Sequence, residues 1–95
     1  MKALPILSER HVLDASSFVE IVVWQVPAPV AGSAHSLKYG LAFVVDGVCV
    51  LRYDNESGKG DHRHAGDREE PYAFSSYDAL LADFWRDVAE WRRQQ

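Results

Sequence analysis

The sequence predicts an α+β domain: an antiparallel sheet of three to four strands, arranged as a meander, packed against one C-terminal α-helix. Three observations predict this class. The chain has 95 residues, which is the size of one domain spanning 1–95. Segments rich in β-branched and aromatic residues lie in its first half, and Asp46-Gly47 joins two of them in the manner of a hairpin turn. The last twenty or so residues repeat apolar positions with helical spacing.

The strands are bounded by proline, glycine and acidic residues. Clear strands are expected over 18–26, 36–45 and 48–54, and residues 9–13 carry a weaker strand signal. A short edge strand is expected over 69–74, where Pro71 cannot donate a ladder hydrogen bond.

The Asp46-Gly47 turn predicts the register of the central hairpin. A type I′ turn requires positive φ at both of its central positions, which Asp and Gly tolerate. Counting in steps of two from this turn, we expect one face of the sheet to carry Tyr39, Arg52 and Asp54 together.

The C-terminal segment predicts an amphipathic helix capped by Ser75 or Ser76. Its apolar face comprises Tyr77, Leu80, Leu81, Phe84, Trp85, Val88 and Trp91. We expect this face to pack on the sheet. The alternative is that the part carrying Trp85 and Trp91 is left exposed for a partner.

Composition narrows the class of protein. The formal net charge of −4 argues against the uniformly basic footprint of many nucleic-acid binders, although it leaves room for a local basic site. The single cysteine, Cys49, is expected to be a small core residue in a reducing compartment. No apolar run reaches membrane-spanning length, and the N-terminus lacks a signal-peptide pattern. We therefore expect a soluble, cytoplasmic protein.

A long polar stretch over residues 53–72 is expected to be a loop that carries the functional site. It holds two of the four histidines and three of the six glycines, and such long loops are usually functional or disordered. The sheet and the helix would then serve as its scaffold.

The residue types of this stretch suit metal-independent RNA cleavage, which needs an acid, a base and cations around the scissile phosphate. The candidate catalytic residues are His62, His64, Asp61 and Arg63. The candidates for binding phosphate or stacking on RNA bases are Lys59, Arg52, Arg68, Tyr53 and Tyr39. Asp54 is the candidate for orienting a histidine or an arginine.

Two other interpretations compete with this one. Metal binding by His62, His64, Asp54 and Asp61 has suitable ligand types. It is disfavoured because we expect the two histidines to face opposite sides of the chain, and because Arg63 repels a cation. No metal or cofactor is therefore expected. In the other interpretation the polar residues only hold the loop together, and the histidines are ordinary surface residues. His11 and His35 are assigned no role.

The sequence also resembles a known family. The resemblance rests on Arg52-Tyr53-Asp54-Asn55-Glu56, Gly58-Lys59-Gly60-Asp61-His62-Arg63-His64 and Arg68-Glu69-Glu70-Pro71-Tyr72, with further matching residues on either side. These residues resemble the small bacterial TumE-like toxins of toxin–antitoxin systems.

The resemblance implies a growth-inhibiting toxin, a cognate helix-turn-helix antitoxin as partner, and RNA or the ribosome as candidate target. It transfers no established catalytic residue. The sheet-plus-helix plan is also similar to small toxin ribonucleases of the RelE and barnase type, as a fold analogy. The alternative function is a non-catalytic module whose loop and C-terminal helix bind an antitoxin or another macromolecule. The sheet edges and the aromatic helix also permit a homodimer.

Overall fold

The computed structural model describes residues 2–95 and shows a six-stranded antiparallel sheet with one helix. The elements are β1 (Leu4–Asp14), β2 (Ser17–Gln25), β3 (Leu37–Val45), β4 (Val48–Glu56), β5 (Gly60–Ala65), β6 (Arg68–Pro71) and α1 (Tyr77–Arg93). Each strand pairs with the next one along the chain, so the sheet is a meander. The predicted class is confirmed, whereas the prediction of three to four strands is wrong.

The additional strands come from two places. The weak signal near the N-terminus belongs to an eleven-residue edge strand, β1. The stretch expected to be a loop over 53–72 instead contains the end of β4, then β5 and β6, joined by two tight turns. Gly58, Gly60 and Gly66 have φ of 86°, 77° and 63° at these turns. Polar sequences form these strands because an antiparallel sheet tolerates water on one of its faces.

One face of the sheet, the inner face, packs against α1. The buried residues that form this core are Val19, Ile21, Val23, Tyr39, Leu41, Phe43, Leu51, Tyr53, Leu80, Phe84 and Val88. Each strand contributes alternate residues to this face because side chains alternate along a strand. The opposite face, the outer face, carries no helix, and Trp24 lies there 38% exposed.

The register of the central hairpin differs from the expectation. Asp46 and Gly47 form the turn with φ of 51° and 78°, as predicted. An irregularity between Phe43 and Val44 then shifts the pairing by one residue, so that Ala42 lies opposite Arg52 and Gly40 opposite Asp54. Such a bulge reverses the expected faces.

Tyr39 therefore does not share a face with Arg52 and Asp54, as expected from the turn. Tyr39 and Tyr53 are buried under α1, and Arg52 and Asp54 lie on the outer face. Cys49 is also exposed there, opposite Val44, so its assignment to the core is wrong.

The helix begins after Ser76, whose side chain accepts a hydrogen bond from the Ala79 backbone amide at 3.0 Å. The apolar face of α1 packs on the sheet as predicted. Trp91 packs edge-on against Phe43, with ring centroids 5.4 Å apart, and Trp85 is partly buried against the core. Both tryptophans are therefore partly buried against the core. Within residues 2–95, α1 lacks the length and apolarity of a helix that crosses a membrane.

Candidate functional site

Five polar side chains meet on the outer face, at alternate positions of three neighbouring strands. We refer to them as the outer-face cluster: Arg52 and Asp54 from β4, His62 and His64 from β5, and Glu69 from β6. His62 lies opposite Asp54, and His64 lies between Arg52 and Glu69 across the strands. The expectation that the histidines face opposite sides is wrong, because residues two apart on a strand share a face.

The ring of His62 is held by one hydrogen bond and keeps one nitrogen open. Its Nδ1 donates to the backbone carbonyl of Gly60 at 3.0 Å. This bond places the proton on Nδ1 of the neutral ring and leaves the Nε2 lone pair available. The nearest acidic atom to Nε2 is Oε1 of Glu69, at 3.9 Å. His62 therefore has the geometry of a proton acceptor.

The ring of His64 lies between two carboxylates. Its Nε2 is 3.7 Å from Oδ1 of Asp54, and its Nδ1 is 4.0 Å from Oε2 of Glu69. Ionised carboxylates only accept hydrogen bonds, so each ring nitrogen of His64 faces an acceptor group. His64 therefore has the surroundings of a proton donor.

Two cations border the histidines. The Arg52 side chain is exposed and makes no hydrogen bond or salt bridge within residues 2–95. Lys59 lies in the β4–β5 turn, with its ammonium nitrogen 4.0 Å from Oε1 of Glu69 and more than half exposed. Both side chains are available to an anion that approaches the imidazoles.

Asp61, expected to be catalytic, lies on the inner face, away from the outer-face cluster, in a hydrogen-bond network. Its carboxylate accepts hydrogen bonds from Ser33 Oγ at 2.6 Å, Tyr39 OH at 2.6 Å and His35 Nε2 at 2.7 Å. Burial alone raises the pKa of Asp61, but the bonds from Ser33, Tyr39 and His35 outweigh it, and the pKa lies below its ordinary value. This network fixes the segment before β3 to β5.

Tyr39 is part of the same network and cannot stack on a base. The ring is 2% exposed, and burial together with the hydrogen bond to Asp61 raises the pKa of its hydroxyl. In this arrangement the Tyr39 ring is not accessible to an RNA base.

Arg63 is likewise held under the helix rather than offered to a ligand. Its Nε donates to Oδ2 of Asp87 at 2.7 Å, and its Nη1 donates to Oε1 of Glu70 at 2.7 Å. Burial lowers the pKa of Arg63, but the bonds to Asp87 and Tyr53 outweigh it and raise the pKa. The guanidinium therefore joins β5 and β6 to α1.

The other inner-face candidates are also placed away from the histidines. The Tyr53 hydroxyl donates to Asp87, and burial followed by this bond raises its pKa. Arg68 is exposed beside Glu70, at 3.8 Å, on the side of the sheet that Arg63 occupies. Of the predicted site residues, the structure brings together His62, His64, Arg52, Asp54 and Lys59.

Two residues with clear structural roles, His35 and Asn55, were not predicted from the sequence. His35 stacks on Phe74 with centroids 3.7 Å apart, and its Nδ1 accepts a hydrogen bond from the Leu37 amide at 3.2 Å. Asn55 is fully buried, and its side chain bonds to the backbone of Tyr39 and Leu37 at 3.0 and 2.7 Å.

No group of three His, Cys, Asp or Glu side chains in the described part of the chain has the geometry to hold a metal ion. The outer-face cluster itself places two imidazoles beside two cations, which is an arrangement suited to acid–base chemistry.

Comparison with known proteins gives one match. The family model described as Toxin TumE matches residues 2–92 of the chain. No curated protein and no solved structure matches the chain.

Proposed function

The chain belongs to the TumE toxin family, and we propose that it inhibits growth by cleaving RNA at the outer-face cluster without a metal ion. Membership of this family indicates the toxin component of a toxin–antitoxin system, with an antitoxin as partner. The proposal extends to a helix-turn-helix antitoxin, a target in RNA or the ribosome, and action in the cytoplasm.

One observation carries the proposal: His62 and His64 lie side by side on the uncovered face with different surroundings. His62 has its Nδ1 bonded to the Gly60 carbonyl, and its Nε2 has one carboxylate nearby, that of Glu69 at 3.9 Å. Both nitrogens of His64 face carboxylates. A pair of titratable groups in unlike environments is what an acid and a base of one reaction require.

In this mechanism, His62 Nε2 takes the proton from the ribose 2′-hydroxyl. The 2′ oxygen then bonds to phosphorus, and the bond from phosphorus to the 5′ oxygen breaks. His64 gives its proton to that departing oxygen. The products are a 2′,3′-cyclic phosphate and a 5′-hydroxyl end. Lys59 stabilises the negative charge that gathers on the phosphate oxygens.

RNA cleavage by the purified protein and growth inhibition in cells, each measured for single and double histidine variants, test the proposal. His62→Ala and His64→Ala should each reduce RNA cleavage by about 10²-fold or more, because each removes one proton-transfer group. His11→Gln is the matched control, since His11 lies on β1 away from the cluster. Thermal unfolding establishes that the variants are folded. A folded double variant that inhibits growth as strongly as the wild type overturns the assignment.

The competing function is a non-catalytic module that holds a macromolecular partner. The uncovered outer face favours it, since a partner has room to dock there. The apolar face of α1 is already buried on the sheet, so the helix would offer only its polar side. This function requires that the purified protein cleave no RNA, alone or with ribosomes, and that a pulldown recover the partner equally with the double histidine variant.

A further inference from the structure

Gly40 lies in the middle of β3 with no structural reason to be glycine. Its φ is not in the left-handed region, and a Cβ built on it meets no atom within 4 Å. Glycine in the interior of a strand weakens the sheet, and it often marks a place where a ligand approaches closely. The open space lies over the outer face, because Gly40 pairs with Val22 and Asp54 there.

The side chains around Gly40 form a notch with one apolar and one polar wall. Val22 lies directly opposite on β2 and Asp54 directly opposite on β4. Trp24, opposite Lys38, and Arg52, opposite Ala42, are outer-face residues on either side of Gly40 along the strands. Both lie at diagonal positions that aromatic and long side chains reach. We refer to Gly40, Val22, Trp24, Arg52 and Asp54 as the Gly40 notch.

The polar wall of the notch has unused hydrogen-bonding groups. Among residues 2–95, the Asp54 carboxylate makes no hydrogen bond, and the nearest basic nitrogen to it is His64 Nε2 at 3.7 Å. The Arg52 guanidinium has no partner within that range of the chain, and it does not pair with Asp54. An acceptor and a donor therefore stand beside each other, two residues apart on β4.

From this arrangement we propose that the Gly40 notch binds a guanine base of single-stranded RNA. The edge of guanine presents O6, N1–H and the N2 amino group in a row. The carboxylate of Asp54 accepts from the two adjacent N–H donors, and Arg52 donates to O6. The exposed ring of Trp24 stacks on the base, which only an unpaired strand allows.

The position of the notch agrees with the proposed reaction, on which this inference rests. His62 lies directly across from Asp54 on β5, and β5 is two strand spacings, roughly 10 Å, from β3. A guanosine bound over Gly40 thereby places its own ribose and phosphate toward the imidazoles. The inference therefore adds the substrate class, single-stranded RNA read at guanine, to the same site.

Binding measured separately from cleavage tests the inference. The probes are a fluorescein-labelled uridine dodecamer with one central guanosine and the same oligomer with a central adenosine. Fluorescence anisotropy with the full chain carrying His62→Ala reports binding without cleavage. The guanosine oligomer should bind at least tenfold more tightly than the adenosine oligomer. Adding Asp54→Asn should remove this difference.

The Gly40→Val variant tests whether the open space over Gly40 is needed for binding. Valine favours a strand, so this variant should unfold at the same temperature as its parent or higher, yet it fills the notch and should weaken guanosine binding at least tenfold. Cys49→Val is the matched control, because it lies at the far end of the same face and should bind normally. Undiminished binding by folded Gly40→Val, or equal binding of the two oligomers, overturns the inference.

The two proposals fail in different ways. If the wild type cleaves RNA through His62 and His64 but without preference for guanosine, the guanine site is wrong and the cleavage mechanism stands. If neither oligomer binds and no RNA is cleaved, the proposed function fails and the guanine site fails with it.

Discussion

Replacement of Asp61 by asparagine tests whether this carboxylate stabilises the fold rather than acting in catalysis. The carboxylate accepts three hydrogen bonds, from Ser33, Tyr39 and His35, each 2.6–2.7 Å long. Asp61→Asn keeps the shape of the side chain and removes its charge. Asp54→Asn is the matched control, because Asp54 has the same chemistry on a neighbouring strand and makes no hydrogen bond within residues 2–95.

The size of the effect follows from the three bonds. Hydrogen bonds to charged groups contribute about 1.5–3 kcal/mol each, and neutral ones about 0.5–1.5 kcal/mol. The amide has only one acceptor oxygen, which can still accept from Tyr39 and His35 while its amino group donates to Ser33 Oγ. Each bond is then neutral and weaker by about 1 kcal/mol. The neutral amide loses less solvation on burial than the carboxylate does, which offsets part of this loss. We expect the free energy of unfolding of Asp61→Asn to fall by about 2 kcal/mol. In a domain of this length, Tm should fall by about 8–16 °C.

Urea and thermal unfolding at several pH values measure the difference in stability between the wild type and Asp61→Asn. The folded-state pKa of Asp61 is lowered, so its stabilising contribution is present above the unfolded-state pKa of about 4 and is lost as pH falls through the folded-state value. The gap between wild type and Asp61→Asn should therefore be widest near neutral pH and narrow in acid. A loss no larger than that of Asp54→Asn, or a gap independent of pH, refutes the structural role.

Three further predictions concern the fold. Ser76→Ala should lower the free energy of unfolding by about 1 kcal/mol, because Ser76 caps α1. Ser75→Ala should lower it far less, and equal losses in urea unfolding would contradict the capping assignment. Asn55→Ala should lower the free energy of unfolding by about 2–5 kcal/mol, because the Tyr39 amide and the Leu37 carbonyl lose their hydrogen-bond partner. A loss below about 1 kcal/mol in urea unfolding would show that water replaces the amide. Cys49 should react with a thiol reagent in the folded protein, because its side chain is exposed. If Cys49 reacts only after denaturant is added, it lies in the core instead.

Features that depend on neighbouring residues were predictable from the sequence. The Asp46-Gly47 hairpin forms as expected because its φ values are a local requirement that these two residues meet. The helix and its buried face follow from spacing, and the cap falls on one of the two serines proposed. The shared face of His62 and His64 follows from the two-residue period of a strand, and applying that period to a strand over 60–65 would have found it.

Features that depend on contacts between distant segments were not predictable. Polar residues 60–71 form strands because β4 supplies a partner, and no apolar alternation marks them in the sequence. The bulge beside Phe43 decides which face receives Arg52. Asp61 and His35 are 26 residues apart, so their hydrogen bond is visible only once the chain folds.

The central claim is that His62 and His64 cleave RNA by acid–base chemistry without a metal ion. The most direct measurement incubates the purified full chain with labelled RNA in the presence of EDTA, alone and with ribosomes, and identifies the product ends by mass spectrometry. Cleavage should persist in EDTA, should give 2′,3′-cyclic phosphate and 5′-hydroxyl ends, and should vanish in the folded His62→Ala, His64→Ala double variant. Cleavage that EDTA abolishes and a divalent cation restores, or that persists in the double variant, would contradict the claim.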